Sequence, residues 1–167
     1  NRIVDTRMLK TAANDLRRRG PKAPGPDGHR LEDLAGEETW SLCRALCGVL
    51  KEAKYQPGES RLVKIPKPGK PGDSRELTIQ NVSDRIVARA VLLVLQPIVE
   101  HLLSPLTYAF RPRKSRISAL ASASGIAGAQ HRWGGGKADG EKAFDRLPFA
   151  RLMTSLTTQF PANVMAL

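Results

Sequence analysis

The chain has 167 residues and is 41% hydrophobic, enough for one domain with its own core or for part of a larger one, and too apolar for a disordered chain. Its 27 Lys and Arg against 16 Asp and Glu give a net charge of +11, which points to a polyanionic partner, nucleic acid first. No apolar core segment opens the chain, and the longest apolar run, IVARAVLLVL, is interrupted by Arg89 and too short to cross a bilayer, so no membrane is expected, while two cysteines, Cys43 and Cys47, fit a reducing, cytoplasmic setting.

Residues 2 to 19 read as a basic helix with Ile3, Leu9, Ala13 and Leu16 inward and Arg17 to Arg19 near its end. GPKAPGPDG, residues 20 to 28, holds three prolines and three glycines and predicts a turn-rich loop. Trp40, Cys43, Cys47 and Leu50 recur at steps of three, four and three, which predicts an amphipathic helix with both cysteines as small buried apolar residues. SRLVKIP and RELTI each alternate, and KPGKPGDS lies between them, so 61 to 79 reads as a β-hairpin with a long basic tip.

A second amphipathic helix follows. Ser83 is its expected cap, and Ile86, Val87, Ala90, Val91, Val94, Leu95 and Ile98 form one apolar stripe. Arg85 and Arg89 lie off that stripe and present two cations on one side, to a template strand or to solvent. Pro97 is expected to bend or end the helix. LSPLTYAFRPRKS reads as loop and Ile117 to Ala129 as a helix of small residues. HRWGGGKAD leads into a strand weakened by three glycines, and Leu147 to Phe160 is a last helix. The order predicts an α+β fold with an incomplete sheet.

Tyr108 and Phe110 alternate with Arg111, Arg113 and Lys114, a pattern suited to stacking bases and contacting backbone phosphate. Arg111 has a second reading, holding the loop through a carboxylate. His29, His101 and His131 share no spacing and receive no role.

Four stretches occur in a telling order: APGPDG (23 to 28), RLVKIPKPGKPGDSRELTI (61 to 79), YAFRPRKS (108 to 115) and ADGEKAFD (138 to 145). Together they resemble the fingers and early palm of reverse transcriptases of the group II intron type. The resemblance runs from about Leu16 to Leu156. It implies the fingers subdomain of a right-hand polymerase over 1–130, and the first strand and helix of an incomplete palm over 131–167. It also implies RNA template, a DNA or RNA primer and a dNTP as partners, together with the rest of the palm and the thumb.

By the same resemblance Asp139 is the first catalytic carboxylate. With the carbonyl of Gly140 it would bind Mg²⁺ in a two-metal nucleotidyl transfer. Phe144 matches the aromatic set against the sugar of the incoming nucleotide. Lys67 and Arg75, flanking the hairpin tip, match contacts to the triphosphate. Lys64 and Lys70 would touch template or primer phosphates. The sequence departs from the pattern in three places. Gly140 stands where an apolar residue is usual, Gly134 to Gly136 replace β-branched strand residues, and Glu76 follows Arg75 where proline is common.

After Asp145 the remaining residues contain no Asp or Glu, so the family's second acidic motif is absent and the metal pair cannot be completed within this chain. The chain is expected to be a piece of a longer RNA-directed DNA polymerase, inactive alone. The alternative is an RNA-binding module that retains only the fingers and has lost catalysis.

Overall fold

The computed structural model describes residues 3–20, 22–69, 72–132, 134–140, 143 and 146–160. In chain order these form α1 (Thr6–Arg19), α2 (Gly36–Lys51), β1 (Arg61–Pro66), β2 (Ser74–Ile79), α3 (Val82–Leu102), α4 (Arg116–Ala129) and α5 (Phe149–Gln159). The α+β class expected from the sequence is what forms. Two compact units divide inside α3, after Leu95: one runs up to Leu95 and takes in Phe160, the other spans Gln96–Gln159.

In the first unit α1 begins after Asp5, whose side chain accepts from the Arg7 N–H at 2.8 Å and satisfies one of the orphan donors of the first turn. The predicted start at residue 2 is therefore early by about one turn, yet Ile3 is still fully buried. Leu9, Ala12 and Ala13 of α1 meet Cys43, Leu46, Cys47 and Leu50 of α2 and Val82, Ile86, Val87 and Ala90 of α3 in one core cluster. These are the positions that the 3.6-residue period selects. Burial raises the Cys43 thiol above its ordinary pKa, with nearby Lys10 partly opposing, so it packs as a neutral apolar group. Arg17 reaches from α1 to the Leu31 and Leu34 carbonyls and the Thr39 hydroxyl, each at 3.0 to 3.1 Å, and fixes the loop that precedes α2.

β1 and β2 pair antiparallel from Arg61 opposite Ile79 to Pro66 opposite Ser74, as the alternation predicts. The period of two puts Arg61, Val63, Ile65, Arg75, Leu77 and Ile79 on one face and Leu62, Lys64, Glu76 and Thr78 on the other.

α3 starts one residue before the expected cap. Val82 opens the helix, so Ser83 falls inside the first turn, and the Asn81 carbonyl accepts from the Arg85 N–H at 3.1 Å. Pro97 does not end the helix, which continues to Leu102. Proline removes one i→i−4 bond there, and the rest of the 21-residue helix is long enough to carry the loss.

In the second unit no described residue is buried; neither α4 nor α5 has one. Among the described residues of the expected strand, 131, 132 and 134–139, no strand forms, and residues 134–140 have no regular structure. Gly134 to Gly136 supply no side chains to pack and lose more entropy on ordering than other residues, which removes the local drive for a strand. Among the described residues no helix is long and apolar enough to cross a membrane.

Ile86 is fully buried at the centre of the first unit's core. Ile86→Ala is expected to cost about 2–5 kcal/mol and to lower the thermal midpoint by roughly 10 °C, measured by circular dichroism.

Candidate nucleic-acid interface

The GPDG turn, the hairpin and the start of α3 are tied together by polar contacts at one place in the first unit. Asp84, in the first turn of α3 and 6% exposed, accepts from the Tyr55 hydroxyl in a short bond and from the Gly58 N–H at 3.2 Å. Asn81 Oδ1 accepts from the Asp27 N–H at 3.3 Å. Arg61 of β1 donates to the Pro24 carbonyl at 3.0 Å, and Arg85 of α3 donates to the Ala23 carbonyl at 3.0 Å. Gly25 is required at this junction, since a Cβ there would lie 2.7 Å from Asn81 Oδ1 and 2.8 Å from the Gln80 carbonyl oxygen. Residues 23–27 are thus a docked strap, not a free linker.

Arg61, Val63, Ile65, Leu77 and Ile79 of the hairpin, with Arg85, Ala88, Arg89 and Leu92 of α3, line an open groove of about 680 Å³. Its floor is aliphatic and its cations are arginines. Two of the phosphate contacts expected from the sequence are already engaged here. Arg85 bonds the Ala23 carbonyl and, at 3.5 Å, the Asn81 carbonyl. Arg89 is ion-paired with Asp15 of α1, its side chain 25% exposed.

At the hairpin tip, Lys67 and Arg75 differ. Lys67 Nζ lies 2.8 Å from Asp73 Oδ2, and its N–H donates to the Asp73 carbonyl at 2.9 Å, which closes the end of the ladder. The Lys67 hydrogen bond holds the Asp73 carboxyl below its ordinary pKa. Arg75, opposite Ile65, is exposed, and no hydrogen bond or ion pair to a described residue engages its side chain. Lys64 is exposed opposite Glu76. Lys70 lies outside the described residues.

In the second unit the YAFRPRKS loop is held by its own side chains. Arg111 donates from Nε to Glu100 Oε1 at 2.8 Å and from Nη1 to the carbonyls of Ser104 and Thr107 at 2.7 and 3.1 Å. Nη2 donates to the Glu100 carbonyl at 3.3 Å and lies 2.7 Å from Glu100 Oε1. With all three nitrogens engaged and the side chain 8% exposed, Arg111 holds the loop through a carboxylate, as its second reading in the sequence has it. Lys114 donates to the Pro105 carbonyl and lies 4.5 Å from the Tyr108 ring centroid, while the Tyr108 hydroxyl bonds Ser122. Arg113 is exposed, with no bond to a described residue.

Asp139 and Gly140 are exposed, in the irregular stretch of the second unit. Phe144 and Asp145 lie outside the described residues. Among the described residues no group of three or more His, Cys, Asp or Glu side chains is arranged to hold a metal ion. Magnesium keeps several waters and is commonly held by one or two carboxylates together with substrate phosphates.

The residues that organise the first unit's junction, Tyr55, Asn81 and Asp84, were not singled out by the sequence. Asp84 in the first turn of an apolar helix is where a carboxylate is favoured by the helix dipole, and that position, beside an isolated Tyr and a Gly-containing connector, is the one signal available.

No family model matches the chain. It is similar to Protein YkfC of Escherichia coli (strain K12), with 36% identity over 108 residues, 65% of this chain. The chain spans about 28% of the length of that curated relative.

Burial, with the bond to Asp84 second, raises the Tyr55 pKa above its ordinary value near 10. A group with a raised folded pKa contributes its stability fully below the unfolded value and loses it as pH rises through the folded one. Stability is therefore expected to be level below about pH 10 with respect to this group and to fall above it. In urea unfolding followed against pH, Tyr55→Phe should remove that alkaline decline.

Proposed function

We propose that this chain is the nucleic-acid-binding fingers portion of an RNA-directed DNA polymerase of the group II intron type, with RNA template and primer as partners. What supports the reading is the ordered set of four motifs, and above all the way the first two meet. The APGPDG turn is strapped to the base of the basic hairpin and to the start of α3 through Arg61, Asn81 and Arg85. A strap of that kind gives a two-stranded ribbon, marginal by itself, a fixed base from which to present Lys64, Lys67 and Arg75 to phosphates. Lys67 takes up a phosphate by exchanging it for Asp73, an exposed partner whose hold is weak.

Nucleotidyl transfer belongs in this reading to a longer protein, in which a second acidic turn completes what Asp139 begins. The irregular backbone around Asp139 favours a second reading for the chain taken alone, that of a binding module without catalysis. Primer extension separates them. The 167-residue chain is expected to give no synthesis on an RNA template, and robust extension by it would overturn the assignment of catalysis to residues elsewhere.

Binding itself is tested by titrating the chain with single-stranded RNA at several salt concentrations. Affinity is expected to fall linearly on a log–log plot. Arg75→Ala or Lys64→Ala should each weaken binding evenly across sequences and reduce the slope by about 0.7, the share of one single-strand phosphate. Binding indifferent to salt would rule out phosphate recognition.

A further inference from the structure

The YAFRPRKS loop holds one feature that its internal bonds do not explain. Phe110 sits at φ +58°, a left-handed conformation that a bulky side chain rarely adopts, and the residue is 96% exposed. Arg113, three residues on, is also left-handed at φ +58°. Strain of this kind persists only where neighbouring contacts over-determine the backbone. Here they do. Arg111 binds the carbonyls of Glu100, Ser104 and Thr107, and Lys114 binds that of Pro105, so both flanks of Phe110 are fixed. The loop spends its rigidity on holding a phenyl ring out in water.

We propose that Phe110 is a base-stacking platform for single-stranded nucleic acid, with Arg113 and Arg116 as the cations that hold the flanking phosphates. This rests on the nucleic-acid reading above and adds a second contact region to it. Tyr108 is not the stacking ring, because its hydroxyl is bonded to Ser122 and Lys114 stands over its ring. Charge chooses the partner. Between Ser104 and Arg116 the loop carries four cations and no Asp or Glu; Arg111 is paired with Glu100 beside it, and three cations remain. A protein pocket for a phenylalanine needs apolar walls and gains nothing from this charge, whereas a nucleobase brings its own phosphates.

The test uses the 167-residue chain and a short single-stranded RNA carrying one 2-aminopurine, whose fluorescence is quenched when it stacks. The native chain should quench it. Phe110→Leu, which keeps apolar bulk without a ring, is expected to bind about tenfold more weakly with little quenching and with the same salt slope. Phe110→Trp should restore both affinity and quenching, which shows that the backbone tolerates substitution there. Arg113→Ala and Arg116→Ala should instead lower the slope. If Phe110→Leu binds and quenches like the native chain, the stacking role is wrong while phosphate recognition stands, and the ring is then an anchor for a protein. If the native chain binds no RNA at any salt, the nucleic-acid reading falls as well.

Discussion

Asp84 occupies a costly position: a carboxylate 6% exposed, held by a tyrosine hydroxyl and one backbone N–H. Burying such a group is favourable only when its lone pairs are filled, and the first turn of α3 adds the helix dipole to those two bonds. The consequence reaches beyond α3. Tyr55 and Gly58 lie on the segment that feeds β1, so Asp84 fixes where the hairpin begins. Three residues earlier Asn81 holds the APGPDG turn, and one residue later Arg85 holds the same turn through the Ala23 carbonyl. The register of the first unit's polar parts is therefore set by one helical turn. The apolar core beneath it, shared by α1, α2 and α3, supplies cohesion without direction.

The excess of positive charge divides into two kinds by what each cation touches. Arg17, Arg61, Arg85 and Arg111 cap carbonyls that the chain would otherwise leave unsatisfied at loops, and Arg89 neutralises Asp15. Arginine suits this work because its planar fork donates in several directions at once. Lys64, Arg75, Arg113 and Arg116 remain exposed. A net charge of +11 thus overstates the positive charge left free at the surface, since several arginines are engaged in holding irregular backbone or an ion pair.

The helices were legible because their apolar periods are long and regular: Cys43, Cys47 and Leu50, and Ile86, Val87 and Ala90, are buried as their spacing implies. The hairpin was legible from its two alternating runs around a Gly and Pro tip. What the sequence could not show is which polar side chains turn inward. Arg85 and Arg89 share a spacing that looks like a binding face, yet each is satisfied by a loop or by α1, and those partners are 62 and 74 residues away in sequence. Arg111 was ambiguous because a guanidinium that reads phosphate and one that closes a loop have the same neighbours in sequence. The strand before Asp139 was expected on resemblance against local propensity, and propensity prevailed.

The two units order themselves by different means. In the first, apolar burial does most of the work. In the second, where no described residue is buried, the loop from Ser104 to Ser115 is shaped by hydrogen bonds from Arg111, Lys114 and Tyr108. Hydrogen bonds are directional where apolar contacts are not, so such a loop can hold a residue in a conformation that packing alone would relax. Two left-handed non-glycine residues within four positions, one of them an exposed aromatic, are what that directional control makes possible. A phenyl ring left in water costs apolar hydration that any buried rotamer would avoid, and a strained backbone adds of order 1–3 kcal/mol. Relaxation of Phe110 is blocked on both flanks, which is why the ring stays where a ligand can reach it.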